Sequence, residues 1–178
     1  VGIDIPSFVQ YAATGDFEGA IRKIKETNML PAICGRVCPQ ESQCEKECVL
    51  AKKGQAVSIG RLERFAADWE RAQGKVTPPP VGQPTGKSVG VVGCGPAGLT
   101  VAIDLRRAGH EVTIYEALHA PGGVLMYGIP EFRLPKAIVN AEVDVVKAMG
   151  VEILFNYVIG QTETVDELME RHDAIFLG

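Results

Sequence analysis

No apolar run in the 178 residues approaches the roughly 20 that a membrane-spanning helix needs. Charge of one sign is also scarce: 18 Lys and Arg against 22 Asp and Glu leave a net charge of −4. A weakly acidic chain offers no electrostatic footprint for nucleic acid or an anionic membrane. Only 3 histidines are present. His110, His119 and His172 are scattered singly, so the sequence suggests solvated residues and no acid–base constellation. The opening Val1-Gly2-Ile3-Asp4 has neither a basic nor an apolar leader pattern, which predicts a cytoplasmic protein. The closing run Asp173-Ala174-Ile175-Phe176-Leu177-Gly178 reads as a strand with nothing following to cover it, which predicts a piece of a longer protein.

Glycine and proline are plentiful instead, at 20 and 11. The stretch from Gly74 to Gly86 holds four of the prolines and three of the glycines, so it can be neither helix nor central strand. It predicts a linker over residues 74–87 between a helical part, 1–73, and an α/β part, 88–178. In the first part, Asp4 and Asp16 suit helix N-caps, with a helix over Ile5–Ala13 and another carrying Phe17, Ala20, Ile21 and Ile24 at helical spacing. Ser58 suits the cap of a third helix, from Ile59 to about Ala72, whose apolar face would be Leu62, Phe65, Ala66 and Trp69. The second part alternates strand and helix: Ser88–Val92, Pro96–Ala108, Glu111–Glu116, Pro135–Met149, Val151–Phe155, a short helix opened by the capping box Thr164-Val165-Asp166-Glu167, and Asp173–Leu177. That order predicts a doubly wound parallel sheet of the Rossmann-like kind.

Gly93-Cys94-Gly95-Pro96-Ala97-Gly98 is G-x-G-x-x-G in the context that gives the string meaning, after a Val-rich strand and at the opening of a helix. Gly93 allows the turn, Gly95 lets backbone approach a pyrophosphate, and Gly98 lets helix and strand pack closely. Glu116 follows Gly93 by 23 residues, near the distance at which an acid binds ribose hydroxyls. Its charge would repel a 2′-phosphate, so FAD or NAD is expected at this loop and not NADP. Pro121-Gly122-Gly123-Val124 reads as a second close backbone approach to the same cofactor, with a plain surface turn as the alternative. Cys94 occupies the motif's variable position and is given no chemistry by the spacing.

Four of the five cysteines cluster as Cys34-x3-Cys38-x5-Cys44-x3-Cys48. Disulfides are not expected without a secretory signal. Thiolates so spaced suit an iron–sulfur cluster or zinc, and buried free thiols are the plain alternative.

The run Leu30-Pro31-Ala32-Ile33-Cys34-Gly35-Arg36-Val37-Cys38-Pro39-Gln40-Glu41, with Cys44, Cys48 and Ile59-Gly60-Arg61-Leu62-Glu63-Arg64, resembles the NADPH-dependent glutamate synthase small (β) chain family. So does Gly122-Gly123-Val124-Leu125-Met126-Tyr127-Gly128-Ile129-Pro130-Glu131-Phe132-Arg133-Leu134-Pro135-Lys136. The same architecture serves the large subunit of ferredoxin:NADP oxidoreductase and the N-terminal half of dihydropyrimidine dehydrogenase. The resemblance implies a helical domain with two [4Fe-4S] clusters, then an FAD domain and an NADPH domain. It implies that Cys48 completes one cluster with three upstream cysteines. Cys38 and Cys44 would serve the other, with one upstream cysteine and an acid at the position of Glu63; Cys34 matches a non-ligand. On its own, Glu63 reads as a solvated helix charge. The resemblance also implies that Gly93, Cys94, Gly95, Pro96 and Ala97 lie at the FAD pyrophosphate, Glu116 at the ribose, and Gly123, Val124, Arg133 and Ile159 along the cofactor.

In that family NADPH reduces FAD, and single electrons pass through the clusters to an acceptor, in glutamate synthase a large subunit. The NADPH site and the family's first cysteine motif fall outside this sequence, so the segment alone is not expected to bind NADPH, to build both clusters in the family's manner, or to be active. Two other readings stay open: a subunit that works with ferredoxin, and a zinc-stabilised docking module beside a nucleotide-binding domain.

Overall fold

The computed structural model describes residues 2–74 and 76–178; Val1 and Lys75, the latter within the predicted linker, lie outside them. The chain forms two compact units, residues 1–76 and 77–178. Among the described residues no helix is long and apolar enough to cross a membrane.

The first unit is helical. α1 (Ile5–Ala13) and α2 (Phe17–Lys25) begin at Asp4 and Asp16, whose carboxylates accept the Ser7 and Gly19 backbone N–H groups, so each satisfies one donor that a helix start leaves unpaired. α3 (Pro31–Val37) was not anticipated. Pro31 in its first turn costs nothing because that N–H has no intrahelical partner, and the helix ends at Cys38, ahead of Pro39. Short 3₁₀ turns cover Gln40–Ser42 and Val49–Lys52. α4 (Ile59–Ala72) follows; its cap residue Ser58 makes no side-chain capping bond.

The buried face of α4 differs from the expected one. It is Ile59, Gly60, Glu63, Ala66 and Ala67, whereas Phe65 is 45% exposed. Gly35 of α3 lets the two helices approach closely, since a Cβ there would meet the Arg64 backbone. Phe65 and Trp69 instead stack edge-on against Phe17, with centroids 4.9 and 5.9 Å away. Phe8, Ile21, Ile24 and Ile33 fill the core of this unit.

The second unit carries β1 (Ser88–Val92), α5 (Pro96–Arg107), β2 (Glu111–Tyr115), α6 (Val124–Tyr127), α7 (Lys136–Ala148), β3 (Glu152–Leu154), α8 (Val165–Arg171) and β4 (Ala174–Leu177). All strand pairs are parallel, in the order β3-β2-β1-β4. The chain turns from one side of β1 to the other after β3, which gives the doubly wound arrangement. Val91 and Ile114 from the sheet, Leu99 and Ile103 from α5, and Val139, Val143 and Val146 from α7 are buried together. The capping box of α8 is present in both halves, Thr164 with Glu167.

All three histidines have side-chain partners, against the expectation of solvated ones; His119 Nδ1 lies 3.4 Å from the Tyr127 hydroxyl. The His172 ring meets the Tyr115 hydroxyl at 2.8 Å and the Ser88 hydroxyl at 3.3 Å. Gly90 makes room for it, since a Cβ there would stand 2.9 Å from the imidazole. His110 Nδ1 meets the Thr85 hydroxyl at 2.7 Å.

Candidate functional site

The glycine loop lies at the end of β1. Gly93 has φ +99°, open to glycine, and its N–H donates to the Tyr115 carbonyl at 2.8 Å. A Cβ on Gly98 would stand 2.0 Å from the Gly93 carbonyl oxygen, so Gly98 is fixed by helix–strand packing. Gly95 differs: it caps α5 in an extended conformation, and no protein atom lies within 4 Å of where its Cβ would be. Nothing in the chain itself requires glycine there. The open space faces the start of a 12-residue helix, where unpaired N–H groups favour a phosphate.

Glu116 is buried, 5% exposed, and reaches back to this loop. One carboxylate oxygen accepts the Cys94 N–H and the other the Leu118 N–H, both at 2.8 Å. These bonds hold the carboxylate in place and leave each oxygen further acceptor capacity. The second glycine pair closes on the same loop. Gly122 donates its N–H to the Cys94 carbonyl at 2.8 Å, and a Cβ on Gly123 would stand 3.0 Å from the Gly95 Cα. Gly93, Cys94, Gly95, Pro96, Ala97, Glu116 and Gly123 are therefore brought together. Cys94 is fully buried, and burial pushes its thiol up to about 11. Val124 begins α6 beside Gly123 and is 58% exposed. Arg133 is exposed in the turn before Pro135. Ile159 lies apart from the loop in sequence and forms a bridge with Glu163.

All five cysteines are free thiols. In the helical unit, Cys34, Cys38, Cys44 and Glu63 line one cavity of about 350 Å³, with Asn28, Gln40 and Phe8 among its other walls. Cys48 is not among its lining residues. Of the metal ligands that the sequence suggested, Cys38, Cys44 and Glu63 are thus gathered, and Cys48 stands on a separate segment at the start of the Val49–Lys52 turn. Among the described residues no three His, Cys, Asp or Glu side chains lie close enough to hold a single metal ion.

Beside the cavity, α3 and α4 cross almost in contact. A Cβ on Gly35 would stand 2.6 Å from the Arg64 backbone nitrogen, and the neighbours of those two residues are Cys34 and Glu63. The sequence reading missed Gly35 as a crossing point and Asn28 as a wall; only the buried, polar character of Asn28 in an apolar unit distinguishes it.

Burial pushes the Cys34 thiol up to about 12, and nearby Cys38 and Glu63 add to that. Burial also raises Cys44. Cys48 is lowered, because backbone N–H groups of Val57 and Leu50 bond to its sulfur. Glu63 is 6% exposed; burial raises its carboxyl to about 7, and a hydrogen bond from Asn28 works against the rise.

Comparison with known proteins follows the same division. Residues 1–75 match the family described as dihydropyrimidine dehydrogenase domain II, 4Fe-4S cluster. Residues 91–138 match the NAD(P)-binding Rossmann-like domain family. The chain is 40% identical over 174 residues to the NAD-dependent dihydropyrimidine dehydrogenase subunit PreT of Escherichia coli O157:H7, covering 98% of this chain and 42% of that protein. It is 38% identical over 178 residues to the glutamate synthase [NADPH] small chain of Azospirillum brasilense, covering 99% of this chain and 37% of that protein. It is 42% identical over 171 residues to glutamate synthase [NADH] of Saccharomyces cerevisiae, covering 96% of this chain and 8% of that protein. The chain spans less than half the length of each.

Proposed function

We propose that this chain, kin over nearly its whole length to glutamate synthase small chains and to PreT subunits, is the cluster-and-flavin segment of an NADPH-dependent electron-transfer oxidoreductase. The helical unit is the iron–sulfur domain and the strand unit the FAD domain, joined through residues 74–87. When bound, FAD would take up a hydride from a two-electron donor, leaving that donor oxidised, and release the electrons singly to [4Fe-4S] clusters that would carry them on to an acceptor subunit.

The chain's own residues supply binding and orientation. Gly93 to Ala97 offer backbone N–H groups and the α5 terminus to a pyrophosphate. Glu116, held by its two backbone donors, accepts from ribose hydroxyls. Gly123 and Val124 border the cofactor, with Arg133 and Ile159 further along it. Cys38, Cys44 and Glu63 would hold one cluster together with a ligand from outside these residues, and Cys48 would serve a second. Three sulfurs and an oxygen lining one cavity suit iron–sulfur chemistry, with the oxygen ligand altering the potential relative to four thiolates.

The thiol-lined cavity carries this reading, because a glycine loop with a ribose acid is shared by many nucleotide enzymes. The test is a visible spectrum of the anaerobic protein before and after dithionite, with iron and zinc measured on the same sample. The expected result is a structured flavin spectrum over a broad brown absorption, both bleached by dithionite. Zinc without iron would overturn the reading in favour of a docking module.

The acceptor has two candidates, each favoured by a finding. The small-chain kinship supports a glutamate synthase large subunit. The N-terminal family match and the PreT kinship support a pyrimidine-reducing partner. Turnover of glutamine with 2-oxoglutarate, against turnover of a pyrimidine, in the holoenzyme separates them.

A further inference from the structure

Asn28 is one of four buried polar or charged residues among those described. It sits between α2 and α3, 7% exposed, on the wall of the thiol-lined cavity. Its side-chain oxygen accepts the Leu30 N–H at 3.0 Å and the Cys34 thiol at 3.6 Å. Its side-chain nitrogen donates to one oxygen of Glu63 at 2.6 Å. The Leu30 contact fixes which end of the amide is which: a backbone N–H needs an acceptor, so the oxygen faces α3 and the NH₂ faces Glu63. A carboxamide is thus set with opposite polarity towards the two competing cavity groups. It receives a proton donor from Cys34 and gives one to Glu63.

We infer that Asn28 is a positioning residue that sets the Glu63 carboxylate for ligation. This rests on the cluster reading above. By holding one Glu63 oxygen, the amide fixes the carboxylate rotamer and leaves the other oxygen for iron. Partners of this kind fix the orientation of metal ligands, and their loss typically costs about 10–100-fold in metal affinity.

Asn28→Asp is the discriminating variant. It keeps the oxygen that the Leu30 N–H requires, so α3 retains its start, and it replaces the donor to Glu63 with an acceptor. The holoprotein and the variant are compared by electron paramagnetic resonance, by the midpoint potential of each cluster, and by the rate of iron loss to a chelator. The expected result is a changed g-tensor and potential for one cluster, the other cluster unmoved, and iron lost about 10–100-fold faster. Asn28→Gln, which has the same donor at a different reach, should recover part of the signature. A merely structural role would move stability and leave g-values and potential alone.

An Asn28→Asp protein with wild-type iron, g-values and potentials would overturn the inference while leaving the cluster reading intact. So would a Cys34→Ser protein in which the signature moves and Asn28→Asp in which it does not, since Cys34 would then be the ligand. A wild-type holoprotein without iron removes both.

Discussion

Gly95 and Gly98 stand three positions apart in one motif and do different work. A Cβ at Gly95 meets no protein atom beyond its chain neighbours, so Gly95→Val should leave stability within about 1 kcal/mol of wild type, yet it fills the space proposed for the pyrophosphate. The expected protein is folded and flavin-free, read by absorbance at the flavin bands and by urea unfolding. Gly98→Ala places a methyl against the Gly93 carbonyl and should cost about 1–3 kcal/mol whether or not flavin is present. The motif's spacing was enough to name both residues, but only the structure separates the one that serves a ligand from the one that serves packing. His172 illustrates the reverse. Isolated in sequence, it is tied to Tyr115 and Ser88 because Gly90, some 80 residues earlier, leaves a gap for its ring. Burial, then the charge of Arg171, holds its pKa below 6.5. The unfolded chain therefore binds a proton first as pH falls, so the stability His172 contributes is whole above about 6.5 and is lost on acidification below it. His172→Asn should cost about 1 kcal/mol at pH 7.5 and show a flatter decline than wild type between pH 6.5 and 5, measured by urea midpoints.

Helices α3 and α4 show where the sequence pattern stops being readable. α4 was expected at its observed span, but its buried face was not, since a large-apolar rule chooses Phe65 and Trp69 over Gly60 and Ala67. The observed face inverts that rule: small residues and Glu63 take the buried side. α3 was hidden by Pro31, Gly35 and Pro39, each of which argues against a helix when read alone. In context Pro31 occupies the tolerated first turn and Gly35 the crossing point. By contrast α1, α2, the strands and the capping box of α8 were legible, because their caps and periodicities depend on neighbours in sequence. The crossing predicts a contest of known terms. Gly35→Ala should favour α3 by about 1 kcal/mol of intrinsic helix propensity, but its methyl would press on the Arg64 backbone and part the helices, at about 1–3 kcal/mol. Parting wins, so iron content should fall at least severalfold while circular dichroism reports undiminished helix.

At the scale of the whole molecule, the two units hold their proposed cofactors by separate means. One uses a helix start, a glycine loop and a fixed carboxylate; the other uses thiols around a helix crossing. Gly95→Val should therefore remove flavin and spare iron, and Gly35→Ala should remove iron and spare flavin. Stoichiometries of both on each purified holoprotein variant check this; joint loss in either variant would show that loading of the two units is coupled. The parallel sheet and the βα rhythm of the second unit followed from the sequence, as did the glycine loop and its acid. The partition of the cysteines between a cavity and a separate turn was visible only by resemblance, since spacing along a chain does not say which sulfurs share a space.

The near contact of Gly35 with Arg64 also has a dynamic consequence. Two backbones that meet without an intervening side chain have little slack, and opening one must uncover the other. Whatever binds across the cavity adds its free energy to that opening and to no other. Amide hydrogens around Arg64 and along α3 should then exchange with deuterium markedly more slowly in the iron-loaded protein than after chelation. The amides of β1 in the second unit should keep a single rate in both, so the exchange map would outline the cluster site.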